Sequence, residues 1–130
     1  CNDPRIPQPL RSYLPKSLED LNWVCRAEGL EQAGLLSDFA GFDTRLFRLA
    51  PGATVPRHTH DGEEATLVLT GGFSDAVGHY VRGDVAIADP SVTHRPVADP
   101  GEPCISLAVT TGSLRLPGLM GHLMKPFVKL

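Results

Sequence analysis

The sequence has few cysteines, no strong excess of one charge and no long apolar runs. Its 3 cysteines show no Cys-x-x-Cys spacing, which argues against a disulfide framework and indicates a reducing, cytoplasmic environment. With 12 Lys and Arg against 15 Asp and Glu, the formal net charge is -3, whereas a nucleic-acid-binding protein needs a basic surface. No apolar run approaches the roughly 20 residues that span a bilayer. We therefore expect neither direct nucleic-acid binding nor a membrane span.

Glycine and proline are abundant, with 13 and 12 copies among 130 residues. They separate short apolar runs, and no helical period of 10–15 residues lies between those runs. This pattern is typical of an antiparallel sandwich or barrel, so we predict a single all-β domain. The predicted strands cover residues 23–27, 44–49, 66–70, 84–88, 104–110 and 127–130.

The N-terminal part of the sequence differs from the rest. Residues 1–16 contain four prolines, which predicts an extended arm or linker remnant. The domain itself is predicted to cover residues 17–130, beginning with one helical turn that Ser17 caps. Because the sequence starts at Cys1 and has no signal-peptide pattern, we expect it to be part of a longer or processed protein.

One short segment combines residue types that bind metal ions. His58 and His60 are two residues apart, so on a strand both imidazoles point to the same face. Residues 61–63 are a plausible hairpin loop, which would place Glu64 directly opposite His60 on that face. A two-residue Asp-Gly turn would bring Glu63 there instead, and Glu63 is therefore the alternative ligand.

A further candidate ligand, His94, follows the predicted strand at 84–88. Three imidazoles and one carboxylate suit Zn, Fe, Mn, Ni or Cu better than Ca or Mg. The sequence therefore predicts one transition-metal ion per chain, bound by His58, His60, Glu64 and His94. Taken alone, each histidine is more simply interpreted as a surface residue in a turn. That interpretation does not explain why His58, His60 and Glu64 are spaced so that they share one face.

These residues resemble the two motifs of the cupin superfamily, which implies a double-stranded β-helix, or jelly-roll, barrel. The first motif matches in spacing and residue type from Gly52 to Gly71. The second matches in spacing from Gly83 to His94, although Asp89, Ser91 and Ala98 replace its usual Pro, Gly and Asn.

A closer resemblance, to the C-terminal cupin half of the ChrR family of zinc-binding anti-sigma factors, extends over most of the chain. It is carried by residues 11–14, 17–23, 62–69, 83–89, 104–107 and 125–130. In that family an N-terminal helical domain with a His-x3-Cys-x2-Cys motif binds a sigma factor, and this sequence lacks that motif. The cupin half binds a second metal and is required for release in response to oxidants such as singlet oxygen.

The resemblance favours a non-catalytic sensor domain that binds Zn²⁺, with Fe, Mn or Ni as alternatives. Its expected partner is a sigma factor, bound through an N-terminal domain absent from this chain. The competing hypothesis is a small metal-dependent cupin dioxygenase or isomerase, because an octahedral ion would leave positions for substrate. Metal storage or a purely structural ion is a weaker third interpretation. Exposed barrel edges would also allow a homodimer.

The strand at 104–110 has two distinct faces. Cys104, Ser106 and Ala108 share one face, and larger apolar residues share the other. If the small side chains face the barrel interior, the Cys104 thiol lies near the metal and is a candidate for early oxidation. The more common role of a buried cysteine is that of an inert small hydrophobe. The predicted core aromatics are Trp23, Phe42, Phe47 and Phe127.

Overall fold

The computed structural model describes residues 3–14, 16–35, 41–55, 59–60, 62–88, 95–111 and 114–115, with the backbone alone at 59–60 and 114–115. One short helix, α1 (Gln8–Arg11), and a 3-10 turn (Leu18–Asp20) precede the strands. The strands are β1 (Val24–Ala27), β2 (Leu30–Gly34), β3 (Asp43–Leu49), β4 (Thr59–His60), β5 (Glu64–Thr70), β6 (Gly72–Ser74), β7 (His79–Val81), β8 (Val85–Ala88), β9 (Val97–Ala98), β10 (Cys104–Thr110) and β11 (Leu114–Arg115).

All of these strand pairings are antiparallel, which confirms the predicted all-β class. The largest sheet has six strands in the order β1-β2-β3-β10-β5-β8, a second has the order β7-β6-β9, and β11 pairs with β4. Five of the six predicted strands are present, and residues 127–130 lie outside the described part. The strands that sequence reasoning missed are β2, β6, β7, β9 and β11, most of them very short, whereas β4 lies where the two histidines were expected on a strand.

The six-stranded sheet buries side chains on both of its faces. Its inner face packs against the three-stranded sheet through one apolar cluster, formed by Leu30, Leu49, Val55, Val68, Phe73, Ala98 and Cys104. Its outer face is partly covered by the N-terminal segment through a second cluster, formed by Ile6, Leu14, Leu18, Leu21, Ala33, Leu46, Leu69 and Ile105. Alternation along each strand assigns neighbouring residues to opposite clusters.

The N-terminal segment is not the extended arm that its prolines predicted. Residues 8–11 form a helical turn, and proline is compatible with its first positions because those N–H groups need no intrahelical acceptor. Ile6 is fully buried and Leu14 nearly so, both against the outer face of the large sheet. The described part of this segment therefore belongs to the packed structure of the domain.

The turn at Leu18–Asp20 is stabilised from outside its own sequence. Ser17 precedes it as predicted, but its hydroxyl donates to the Asp20 carboxylate at 2.9 Å instead of capping a backbone group. The Leu18 N–H donates to the carboxylate of Asp3 at 3.0 Å. Asp3 also accepts hydrogen bonds from Arg5, so this carboxylate joins the N-terminal segment to the turn.

The predicted core aromatics have different environments. Phe47 packs on the inner cluster, and Trp23 packs on the outer one, with the Arg48 guanidinium 4.4 Å from its ring centre. Phe42 is 53% exposed, so its assignment to the core was wrong. It lies beside an apolar groove on the outer face, where the N-terminal segment covers the sheet only in part. Phe127 lies outside the described residues.

Within the described ranges, no helix is long and apolar enough to cross a membrane.

Candidate metal centre

Glu64 is a buried carboxylate at the beginning of β5. Its residue is only 8% exposed, and its side chain lines a cavity of about 70 Å³ inside the barrel. The hydroxyl of Thr66, two residues along the same face, donates to its carboxylate at 3.3 Å. Ser106 and Cys104 also line this cavity, whose other walls are mainly apolar. The structure therefore directs Glu64 inward, as its phase in the sequence predicted.

The predicted hairpin between His60 and Glu64 was wrong. The strand β5 lies between β10 and β8, and at Glu64 the two neighbouring residues are Thr110 and Ala88. Both edges of β5 are therefore occupied at this point. The strand β4 pairs with β11, with His60 opposite Leu114. The strands β4 and β5 thus belong to different sheets and do not pair with each other as a hairpin.

The complete ligand set remains a prediction. His58 and His94 lie outside the described residues, and of His60 only the backbone is described. In the part of the chain whose side chains are described, no three His, Cys, Asp or Glu residues form a metal-binding group. The side chains of all three predicted histidine ligands lie outside this part. The set formed by His58, His60, Glu64 and His94 therefore stays a prediction.

The structure distinguishes between the two candidate carboxylates. Glu63 is exposed, and its backbone N–H donates to the Thr111 hydroxyl at 3.0 Å. Its carbonyl accepts a hydrogen bond from the Thr111 N–H at 3.1 Å. Glu64, the next residue, has the buried side chain that faces the cavity. A buried carboxylate inside a barrel fits the oxygen ligand of a nitrogen- and oxygen-bound transition metal, so Glu64 fits the predicted site better than Glu63.

Cys104 shares its face with Ser106 and Ala108, as alternation predicted, and the structure shows that this is the inner face, lining the same cavity as Glu64. Burial raises the pKa of its thiol to about 12, and the negative charges of Asp99 and Glu102 act in the same direction. The thiolate is the reactive form of cysteine, and it is scarce at neutral pH in such an environment. This environment favours the inert structural role of Cys104. Cys25, by contrast, is exposed.

Sequence reasoning missed a second group of polar residues on the inner face. Thr110 lies directly between Glu64 and Asp43 across neighbouring strands. On β3, the Arg45 side chain donates to the Asp43 carboxylate at 2.6 Å. Thr110 has the same phase as Cys104 in the strand, so continuing the alternation to the strand's last residue would have identified it.

The fold is that of a cupin. A likeness at the level of fold extends to a sugar phosphate isomerase of the cupin superfamily from Silicibacter pomeroyi. The two are 22% identical with a TM-score of 0.62, and the match covers 81% of this chain and 83% of that one. At this identity the likeness shows the shared architecture alone, since one fold supports many functions.

More specific matches identify the family. Residues 15–115 match the family described as the ChrR Cupin-like domain. The chain is 40% identical over 128 residues to the anti-sigma-E factor ChrR of Cereibacter sphaeroides. It is also similar to ChrR in the crystal structure of Rhodobacter sphaeroides SigE in complex with this anti-sigma factor. That match has 42% identity, a TM-score of 0.78 and covers 83% of this chain.

The chain therefore belongs to the ChrR cupin-like domain family. It does not correspond to the whole of these relatives. The match covers 98% of this chain but only 60% of the curated ChrR sequence, and 58% of the chain in the crystal structure.

Proposed function

We propose that this chain is the metal-binding sensor domain of a ChrR-like anti-sigma factor and not an enzyme. The observation that carries the proposal is its 40% identity, over 98% of its length, to a protein named as an anti-sigma factor. The inward-facing carboxylate of Glu64 adds a physical basis for metal binding. The sensed signal would be an oxidant such as singlet oxygen.

In this proposal His58, His60, Glu64 and His94 hold one transition-metal ion, with Zn²⁺ favoured over Fe, Mn and Ni. Such an ion would act as a cross-link between separate segments of the barrel, sensitive to changes in its ligands. Glu64 is the first residue of β5, and its carboxylate accepts a hydrogen bond from the Thr66 hydroxyl. Because Glu64 is buried, its carboxylate has little contact with water.

The signal would reach the sigma factor through a separate domain. This sequence contains no His-x3-Cys-x2-Cys motif, so we assign sigma-factor binding to an N-terminal domain outside it. A change in the metal ligands would shift the balance between two conformations of the cupin domain, and the neighbouring domain would respond to their different contacts. The proposed location is the cytoplasm, where sigma factors act.

Metal analysis of the purified chain tests the site itself. We expect about one Zn²⁺ per chain and a large loss of bound metal in Glu64→Gln, because the buried carboxylate is the proposed ligand. Glu63→Gln is the matched control, since it removes a neighbouring carboxylate that is exposed. Equal metal content in both variants and in the wild type would contradict the assignment of Glu64.

A second measurement separates the sensor from the competing enzyme. The iron-loaded chain should show no substrate-dependent O₂ uptake or isomerisation with candidate cupin substrates. Introduced into the complete gene that encodes this chain, Glu64→Gln should abolish oxidant-induced expression of a sigma-dependent reporter, whereas Glu63→Gln should preserve it. Sustained turnover by the iron-loaded form, or an unchanged reporter response in Glu64→Gln, would overturn the sensor proposal.

A further inference from the structure

Thr110 combines deep burial with an unsatisfied hydroxyl group. It is the last residue of β10 and only 4% exposed. Among the described residues its Oγ1 is buried with no hydrogen-bond partner. A buried hydroxyl without a partner is unfavourable, and valine would fill nearly the same space without that disadvantage. This makes Thr110 a candidate for a role beyond packing.

The strand register places Thr110 beside the predicted metal ligand. Thr111 donates its N–H to the Glu63 carbonyl at 3.1 Å, so these two residues form a hydrogen-bonded pair. Pairs alternate along an antiparallel ladder, and Thr110 and Glu64 are therefore a non-hydrogen-bonded pair. In such pairs the Cα atoms are only about 4.5 Å apart, and the two side chains project from the same face.

Glu64 thus has a threonine on each of two sides. Thr66 lies on the same strand and already donates to its carboxylate, whereas Thr110 faces it from the neighbouring strand. Carboxylates that bind metals are themselves held by hydrogen bonds from surrounding groups, and these bonds fix the orientation of the ligand. The hydroxyl of Thr110 is close enough in the register to supply such a bond.

We propose that Thr110 is a positioning residue of the metal site, whose hydroxyl donates to the Glu64 carboxylate when a metal ion is bound. This inference rests on the proposed metal-binding function and adds a residue to it. It accounts for a buried hydroxyl that has no hydrogen-bond partner among the described residues. The hydroxyl reduces the stability of the metal-free chain and strengthens metal binding.

The test compares Thr110→Val and Thr110→Ser by Zn²⁺ titration against a chromophoric chelator and by the absorption spectrum of the Co²⁺-loaded chain. Thr110→Val should lower the affinity about tenfold to a hundredfold and alter the Co²⁺ bands. Its metal-free form should unfold at the same or a higher temperature. Thr110→Ser should bind Zn²⁺ with nearly the affinity of the wild type, because serine keeps the hydroxyl group.

Thr44→Val provides the matched control. Thr44 lies on β3 of the same sheet, opposite Val109, and faces the outer groove. Its replacement should leave metal affinity unchanged. If Glu64→Gln weakens binding and Thr110→Val does not, the role of Thr110 is overturned while the site stands. Equal weakening by Thr44→Val and Thr110→Val would show a general structural effect and overturn it as well. Binding that neither Glu64→Gln nor Thr110→Val affects would refute the site itself.

Discussion

The carboxylate of Asp3 accepts a hydrogen bond from the backbone N–H of Leu18, fifteen residues along the chain, at 3.0 Å. Asp3 is also paired with Arg5, at 2.6 Å, and Arg5 forms a second ion pair with Glu19. The hydrogen bonds from Arg5 have the largest effect, and the bond from Leu18 adds to it. Together they stabilise the charged carboxylate and hold the pKa of Asp3 well below its usual range. A buried polar group therefore links the N-terminal segment to the domain.

Replacing Asp3 by Asn should destabilise the chain in a pH-dependent manner. A pKa lowered on folding stabilises the protein above the ordinary pKa of 3.8, and this contribution is lost as the pH falls towards the folded value. We expect Asp3→Asn to lower the free energy of unfolding at pH 7 by about 3 kcal/mol, because it leaves Arg5 and Leu18 poorly paired. Urea unfolding at pH 7, 5 and 3 measures the effect.

The difference between Asp3→Asn and the wild type should shrink as the pH is lowered below the ordinary pKa. Asp20→Asn is the control, since Asp20 is exposed and its carboxylate accepts a hydrogen bond from the Ser17 hydroxyl. A constant difference across the three pH values would contradict the linkage to Asp3.

Ile6→Ala tests whether the N-terminal segment is part of the folded domain. Ile6 is fully buried against the large sheet, so its truncation should lower the free energy of unfolding by about 2–4 kcal/mol. Val77→Ala, at a side chain that is 67% exposed, should change it by less than about 0.5 kcal/mol. If both variants unfold at the same denaturant concentration as the wild type, the segment does not pack as described.

The two described cysteines should differ sharply towards thiol reagents. At pH 8 we expect the exposed Cys25 to be labelled rapidly and Cys104 to remain unlabelled until the chain unfolds, because burial protects its thiol and raises its pKa to about 12. Labelling followed by mass spectrometry of the peptides measures each site. If Cys104 is labelled as fast as Cys25, the inert structural role of Cys104 is contradicted and its role as an oxidation site is favoured.

The same pKa makes a prediction for alkaline solutions. A thiol whose pKa is raised on folding stabilises the protein fully below the ordinary pKa of 9.0, and this contribution is lost as the pH rises towards 12. Cys104→Ser should therefore lose less stability than the wild type between pH 9 and pH 11, as measured by urea unfolding. Parallel losses in both proteins would show that Cys104 does not titrate in this range.

Two glycines with a positive φ should tolerate alanine differently. At Gly71, φ is 62° and a Cβ atom would lie 2.6 Å from the Pro103 carbonyl oxygen, whereas at Gly52, φ is 73° and the space is open. Gly52→Ala should cost about 1 kcal/mol for the left-handed conformation alone. Gly71→Ala should cost about 2–4 kcal/mol, because the backbone of the neighbouring strand must also move. Equal thermal midpoints would contradict this explanation.

Much of the fold could be predicted from the sequence because strands have a short, local signature. Alternation grouped Cys104, Ser106 and Ala108 on one face of β10, and the structure shows that this face and Glu64 line the same cavity. The prediction of an extended N-terminal arm from its prolines was wrong. Proline is compatible with the first turn of a helix, and its presence does not determine whether a neighbour such as Ile6 is buried.

The sequence by itself determined the class of the fold, the faces of the long strands and the choice of candidate ligands, because each depends on the order of residues within a short segment. Only the tertiary structure decided which strands are neighbours. It placed β5 between β10 and β8, and so Glu64 faces Thr110 instead of His60. The physical reason is that a period of two specifies the side of a sheet on which a residue lies, whereas strand order depends on contacts between distant segments.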